Sequence, residues 1–203
     1  MPALTRIPAA GLLCVAAAGV LPAFAQTPAF AQTTTDAPLA AARPLAPEKN
    51  PPGDIPDSQV FVEYRSPLGF ALKVPEGWGR TTGPDRVTFI DKYGSIAVSV
   101  ARDDVRPTVA GVRDRLVPAL EKDGAAVRIA QVKEVALPAG SAVLVVYGSN
   151  SAPNPVTNKA VRLENDRYYF WKDGRLATLT LSAPQGADNA DDWRMVAKSF
   201  RWQ

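Results

Sequence analysis

One hairpin constrains the fold of this chain more than any other feature. Residues 167–184 read RYYFWKDGRLATLTLSAP, which places two runs of β-forming side chains on either side of Asp173 and Gly174. An Asp-Gly pair readily adopts the positive φ angles that a two-residue turn between antiparallel strands requires. Successive aromatic side chains at positions 168–171 point to opposite faces of their strand. The segment therefore predicts an antiparallel sheet with apolar side chains on both faces.

Seven further runs favour strands, and two segments favour helices. Apolar residues recur at helical spacing from Thr108 to Leu120 and again from Asn189 to Phe200, so that Thr108 and Asn189 are the predicted N-caps. Pro118 is expected to kink or shorten the first helix. The alternating runs that predict strands are residues 60–64, 70–74, 86–90, 95–100, 127–137, 141–148 and 160–165.

This order of elements predicts an α+β fold. The expected architecture is an α/β/α sandwich, in which a twisted, mainly antiparallel sheet is flanked by helices. With one helix available for each sheet face, we expect both faces to be covered. Binding would then use loops, edges or the N-terminal tail instead of an open sheet face.

The stretch GFALKVPEGW, residues 69–78, is interpreted as architecture. Phe70 opens a strand, and Pro75 ends it because proline cannot donate to the next ladder hydrogen bond. Gly77 permits a tight turn, after which Trp78 can fold back onto the core. The complete set of residues to which we assign a structural role is Phe70, Pro75, Gly77, Trp78, Gly174, Trp193 and Phe200.

The N-terminal part divides into three predicted regions. Residues 1–25 have the features of a secretory signal peptide, namely a positive charge at Arg6, a short apolar run and an Ala-Phe-Ala cleavage site, with cleavage after Ala31 as the alternative. The apolar run is too short for a transmembrane anchor. Residues 26–58 form a predicted disordered linker rich in proline and alanine, and residues 59–203 form the folded domain. We therefore expect a periplasmic or secreted protein.

Composition excludes several kinds of chemistry. The chain has no histidine, and its single cysteine, Cys14, lies in the predicted leader. A Ser-His-Asp triad, a cysteine nucleophile and zinc sites built on histidine or cysteine are therefore excluded from the mature protein. No catalytic, cofactor-binding or metal-binding residue is predicted. The net charge of +3 is dispersed along the chain, so nucleic acid is not an expected partner.

Four segments give the chain a resemblance to the PsbP-like family. They are GFALKVPEGW, VTFIDKYGSIAVSVA, NDRYYFWKDGRLATLTLSAP and MVAKSFRW, and the resemblance covers residues 61–202. Small bacterial secreted proteins of the LpqN type share the same pattern. The resemblance implies a non-enzymatic role, since the plant and cyanobacterial members are extrinsic lumenal proteins of photosystem II. The chain departs from the family in lacking histidine, so family metal sites built on histidine cannot be transferred to it.

The most suggestive feature outside the expected core is a polar loop at residues 149–159, because long loops often carry binding. The leading hypothesis is a non-catalytic secreted module that binds or stabilises a protein partner or complex of the cell envelope. A small-ligand or Ca²⁺-binding periplasmic protein is the alternative, and a carboxylate-based enzyme is the third possibility. The sequence does not indicate an oligomeric state. The predicted partner-binding residues are Ser149, Asn150, Asn154, Asn158 and Lys159.

Overall fold

The structure is a computed structural model that describes residues 43–47 and 53–203. The predicted signal peptide and most of the predicted linker lie outside the described residues. Among residues 43–47 and 53–203, the helices lack the length and hydrophobicity of a membrane-spanning segment.

The described residues form ten strands in two antiparallel sheets. A small sheet has the strand order β1-β2-β10, and a large sheet has the order β3-β4-β5-β9-β8-β7-β6. Asp173 and Gly174 make the predicted turn between β8 and β9, with φ angles of 50° and 72°. The strands are β1 (Phe61–Ser66), β2 (Phe70–Pro75), β3 (Gly79–Thr82), β4 (Arg86–Asp91), β5 (Gly94–Arg102), β6 (Ala125–Leu137), β7 (Gly140–Asn150), β8 (Arg162–Lys172), β9 (Arg175–Pro184) and β10 (Arg201–Trp202).

The first helix spans residues 109–123 and is not regular. It consists of α1 (Val109–Gly111), a π-helical segment (Val112–Leu116) and α2 (Val117–Asp123). Thr108 caps it as predicted, since its Oγ1 accepts a hydrogen bond from the backbone N–H of Gly111 at 3.1 Å.

Of the two predicted effects of Pro118, shortening does not occur, because the helix continues past Pro118 to Asp123, but the helix is irregular directly before it. Proline has no N–H to donate, and in an α-helix its ring would meet the carbonyl four residues earlier. The chain widens into the π-helical segment immediately before Val117, whose N–H bonds the carbonyl of Val112. The helix then continues to Asp123, and the N–H of Gly124 bonds the carbonyl of Leu120 at 3.0 Å.

The last helix, α3 (Ala190–Ser199), has Asn189 at its N-cap position as predicted, although the Asn189 side chain makes no capping hydrogen bond. The buried Asn189 side chain instead holds the chain that precedes β1. Its Oδ1 accepts from the N–H of Ile55 at 2.7 Å, and its Nδ2 donates to the carbonyl of Gly53 at 3.0 Å. Ile55 is only 5% exposed. Packing against the domain therefore begins before residue 59, within the segment that we assigned to the linker.

The main core lies between the small sheet, α3 and one face of the large sheet. Phe200 stacks on Phe170 with ring centroids 4.2 Å apart and on Phe70 at 5.8 Å. All three rings are essentially inaccessible to solvent, and Trp193 and Val196 from α3 pack in the same cluster. Aromatic burial of this extent makes the cluster a major contributor to stability.

A second core lies between the opposite face of the large sheet and the helix at residues 109–123. It includes Val112 and Leu120 from the helix, Val145 from β7 and Tyr169 from β8. The three layers confirm the predicted α+β architecture. The expectation that both sheet faces are covered holds only in part, because this helix covers the β6–β8 side of its face and leaves the β4–β5–β9 side open.

In the GFALKVPEGW stretch, the second strand ends at the proline, as predicted. Pro75 is the last residue of β2, and Gly77 has a φ of +85°. Trp78 is half-buried and lies over Gly94, where an added Cβ would come within 3.1 Å of the tryptophan Cη2 atom. Gly94 is therefore required for close contact, while the positive φ in this turn falls on Lys92.

Candidate functional site

The open part of the large sheet forms a groove beside the helix at residues 109–123. Its floor consists of small side chains that follow one another across strands β5 and β9. Ser99 lies opposite Thr178, and Ala97 lies opposite Thr180 in the antiparallel register. Alternation places all four side chains on the same face, where they leave space above the sheet. The resulting cavity has a volume of about 440 Å³.

Two arginines flank this floor. Arg86 on β4 pairs with Ser99, and Arg167 on β8 pairs with Thr180, so the arginines stand on opposite sides of the small residues. Their strands are separated by β5 and β9, which places the two backbones roughly 14 Å apart across the sheet. We call the cavity the arginine groove and define it by Arg86, Arg167, Ser99, Thr178 and Thr180.

Neighbouring threonines hold both guanidinium groups in place. The Nε of Arg167 donates to Thr180 Oγ1 at 3.0 Å, and the Nε of Arg86 donates to Thr88 Oγ1 at 3.3 Å. The Arg167 guanidinium also lies 5.5 Å from the ring centroid of Tyr147. Within residues 43–47 and 53–203, neither arginine has a carboxylate oxygen within 4.0 Å. The sheet side of the groove is therefore positively charged.

Tyr147 forms part of the groove wall and is buried. Burial raises the pKa of its phenol above the ordinary value, and the positive charges of Arg167 and Arg86 act in the opposite direction. The phenol is therefore neutral at physiological pH and can both donate and accept a hydrogen bond. On the opposite wall, Leu116 and Leu120 present apolar side chains, and Asp123 stands at the end of α2.

The comparisons with known proteins identify the fold. No family model and no curated protein matches the chain. The solution structure of cyanobacterial PsbP (CyanoP) from Synechocystis sp. PCC 6803 is similar, with a TM-score of 0.52 and 15% identity over 74% of this chain and 98% of that protein. The chain has a PsbP-like fold.

Two other solved structures are similar to this PsbP-like domain at lower TM-scores. A Bacteroides thetaiotaomicron protein matches with a TM-score of 0.47 and 12% identity, over 70% of this chain and 48% of that protein. A Pseudomonas aeruginosa protein of unknown function matches with a TM-score of 0.44 and 15% identity, over 68% of this chain and 94% of that protein.

The five predicted partner-binding residues of the PsbP-like domain do not form one loop. Ser149 and Asn150 are the last two residues of β7 and line one end of the arginine groove. Ser149 is only 8% exposed and accepts a hydrogen bond at Oγ from the Nδ2 of buried Asn165 at 2.9 Å. Placing Ser149 in a solvated loop was therefore wrong, because strand pairing with β8 continues to Asn150.

Asn150 joins three separate segments of the chain. Its Nδ2 donates to the carbonyl of Arg43 at 2.7 Å, and its Oδ1 accepts from the N–H of Leu45 at 3.1 Å. The same Oδ1 accepts from the guanidinium of buried Arg162 at 3.2 Å. Asn150 therefore holds part of the N-terminal arm beside the groove, a role that local sequence patterns do not reveal.

Asn154, Asn158 and Lys159 do lie in the loop between β7 and β8. Asn154 organises this loop, because its Oδ1 accepts from the N–H groups of Val156 and Thr157 at 2.9 and 3.0 Å. Its own N–H donates to the carbonyl of Lys159 at 2.8 Å. Val156 was not among the predicted partner-binding residues, although it is 89% exposed. Its position in the sequence, a valine between proline and threonine in a polar loop, could have indicated an exposed apolar contact.

In the part of the chain that the structure describes, no group of three or more acidic side chains that could hold a metal ion lies together. Asp103 forms an ion pair with Arg115 at 3.0 Å. Glu164 and Asp166 lie on β8, and burial raises the pKa of each carboxyl group. Each has a protein hydrogen bond, from the N–H of Gly186 at 3.4 Å and from the Tyr168 hydroxyl at 3.3 Å, respectively.

Proposed function

We propose that this chain is an exported, non-catalytic binding module that holds a protein partner in the cell envelope. Export is supported by the charged, apolar and small-residue order of the first 25 residues. A non-catalytic role is supported by the sequence, which has no histidine and whose single cysteine lies in the predicted leader.

One observation carries the partner-binding proposal. Val156 is 89% exposed in the middle of the loop between β7 and β8, although it is a large apolar side chain. Single exposed apolar residues are common on protein surfaces, but this one occupies a turn whose backbone is fixed by Asn154. A side chain held outwards on an ordered loop loses little conformational entropy when it enters a partner's pocket.

The residues around Val156 suit the edge of a protein interface. Asn158 and Lys159 are both exposed and polar, which is typical of an interface rim that surrounds an apolar contact. We therefore expect Val156 to enter an apolar pocket on the partner, while Asn158 and Lys159 form peripheral contacts.

The experiment compares two valines with the same substitution. Val156→Ser is expected to weaken capture of the partner from an envelope extract by about tenfold, since an apolar anchor contributes on the order of 1–2 kcal/mol to such interfaces. Val105→Ser is the matched control, because Val105 is also exposed, at 59%, and lies before α1. Both variants should unfold at the wild-type temperature.

Equal capture by wild-type protein and both variants would contradict a contact at Val156. Equal losses in both variants would show that capture depends on general surface hydrophobicity. A fall in the unfolding temperature of Val156→Ser would assign the loop tip to stability instead of binding.

A further inference from the structure

The arginine groove lies on the open sheet face and is separate from the loop tip at Val156. Its floor is not apolar, because Ser99, Thr178 and Thr180 present hydroxyl groups in adjacent strands. Arg86 and Arg167 place two positive charges on opposite sides of this uncovered floor. Positive charge, hydroxyl groups and a concave shape therefore occur together on this face.

The positions of the arginines favour anion binding. Each guanidinium is held through its Nε by a threonine hydroxyl, and neither has a carboxylate partner among the described residues. Guanidinium groups bind carboxylate and phosphate oxygens by charge-assisted hydrogen bonds, with geometry that ammonium groups do not reproduce. The same two positive charges disfavour Ca²⁺ in this groove.

We propose that the arginine groove binds a small organic molecule carrying an oxyanion, either a carboxylate or a phosphate group. The oxyanion lies between Arg86 and Arg167, where the hydroxyl groups of Ser99 and Thr180 supply further hydrogen bonds. The volume of about 440 Å³ exceeds that of a single phosphate ion and lies within the range of small-molecule sites.

The opposite wall orients the rest of the ligand. Leu116 and Leu120 present apolar surface from the helix, and Asp123 adds a negative charge at the end of α2. Repulsion by Asp123 places the anionic group on the sheet side of the groove. The uncharged part of the ligand then packs against the two leucines, which distinguishes this site from one for a free inorganic ion.

Titration of the mature protein with three probes tests this proposal. Inorganic phosphate, glycerol phosphate and succinate are added separately, and binding is followed by isothermal calorimetry and by amide NMR shifts. We expect saturable binding of glycerol phosphate or succinate, with shifts at Ser99, Thr178 and Thr180. Preference for the phosphate ester or for the dicarboxylate identifies the anionic group, and either preference supports the proposal.

Charge-removing variants locate the site. Arg167→Gln and Arg86→Gln should each weaken binding by about tenfold or more, since each removes charge-assisted hydrogen bonds. Arg106→Gln is the matched control, because Arg106 is exposed and lies outside the groove, and it should bind as the wild type does. Arg86 is exposed on β4, so Arg86→Gln remains informative if Arg167→Gln does not fold.

Several results would overturn the proposal. They are no saturable binding of any probe, equal affinity in the wild type and Arg86→Gln, or equal weakening in Arg86→Gln and Arg106→Gln. Tighter binding of inorganic phosphate than of both organic probes would also refute an organic ligand. Partner capture through Val156 is measured separately in Arg86→Gln and should be unchanged, so failure of either proposal leaves the other testable.

Discussion

Asn189→Ala is expected to destabilise the protein by about 1.5–4 kcal/mol, although position 189 lies outside every predicted binding surface. The Asn189 side chain accepts from the N–H of Ile55 and donates to the carbonyl of Gly53, and it is 2% exposed. Alanine removes both hydrogen bonds that hold the segment before β1 against the domain.

Two responses to this substitution lead to similar magnitudes. If the segment stays in place, the buried N–H of Ile55 loses its partner, which costs about 1–3 kcal/mol in addition to the lost bond to Gly53. If the segment detaches, water satisfies the N–H, but the burial of the Ile55 side chain is lost, at about 1.5–3 kcal/mol. The first response therefore totals about 2–4 kcal/mol and the second about 1.5–3 kcal/mol.

Urea unfolding of the mature protein measures this loss, and a double-mutant cycle with Ile55→Ala separates the two responses. Detachment predicts that the double variant is little less stable than Asn189→Ala alone, because Ile55 has already left the core. Asp54→Asn is the control, since the amide retains an acceptor for the N–H of Asp188, and it should change stability by less than about 0.5 kcal/mol. A loss below about 0.5 kcal/mol in Asn189→Ala would refute this reasoning.

Three further predictions concern the stability of the domain. Phe200→Ala should cost about 3–5 kcal/mol in urea unfolding, because it removes a fully buried ring from the aromatic stack, and a loss below about 1 kcal/mol would contradict that packing. Trp78→Ala should cost less, about 2–3 kcal/mol, since Trp78 is half-buried, and a loss equal to that of Phe200→Ala would show that it is fully enclosed. Asp166→Asn should stabilise the protein at neutral pH, because burial raises the pKa of Asp166 in the folded state. The stability that the protonated Asp166 contributes is present below the pKa of the unfolded state and is lost as pH rises through the pKa of the folded state. Unfolding scans across acidic pH should therefore show a smaller decline in stability for Asp166→Asn than for the wild type. An unchanged pH profile would contradict this prediction.

Sequence patterns predicted the elements whose signals are local. The alternation in residues 167–184, the Asp173-Gly174 turn and the cap at Thr108 depend on neighbouring residues alone, and the structure contains all three. The short strand β3 was missed because its sequence, GRTT, contains no apolar residue to alternate. Strand β10 was missed because its partner in the small sheet is β2, more than a hundred residues earlier.

The arginine groove was not predicted, although its residues carry a recognisable pattern. Ser99 on β5 and Thr178 and Thr180 on β9 alternate with buried apolar residues, which is also typical of an ordinary solvent-exposed face. Whether a helix covers such a face depends on tertiary packing that no local pattern specifies. The roles of Asn150 and Asn189 were missed for the same reason, because each contacts a segment more than a hundred residues away.

Site-specific photo-crosslinking at position 156 tests the central claim of a partner-binding module most directly. A photoreactive residue is incorporated at position 156 in the full chain, and at position 105 as the matched exposed control. Irradiation of intact cells is expected to give one discrete protein adduct from position 156, enriched over position 105 and lost when Asn154→Ala releases the turn. No adduct from position 156, or the same set of adducts from both positions, would contradict a specific protein partner at this loop.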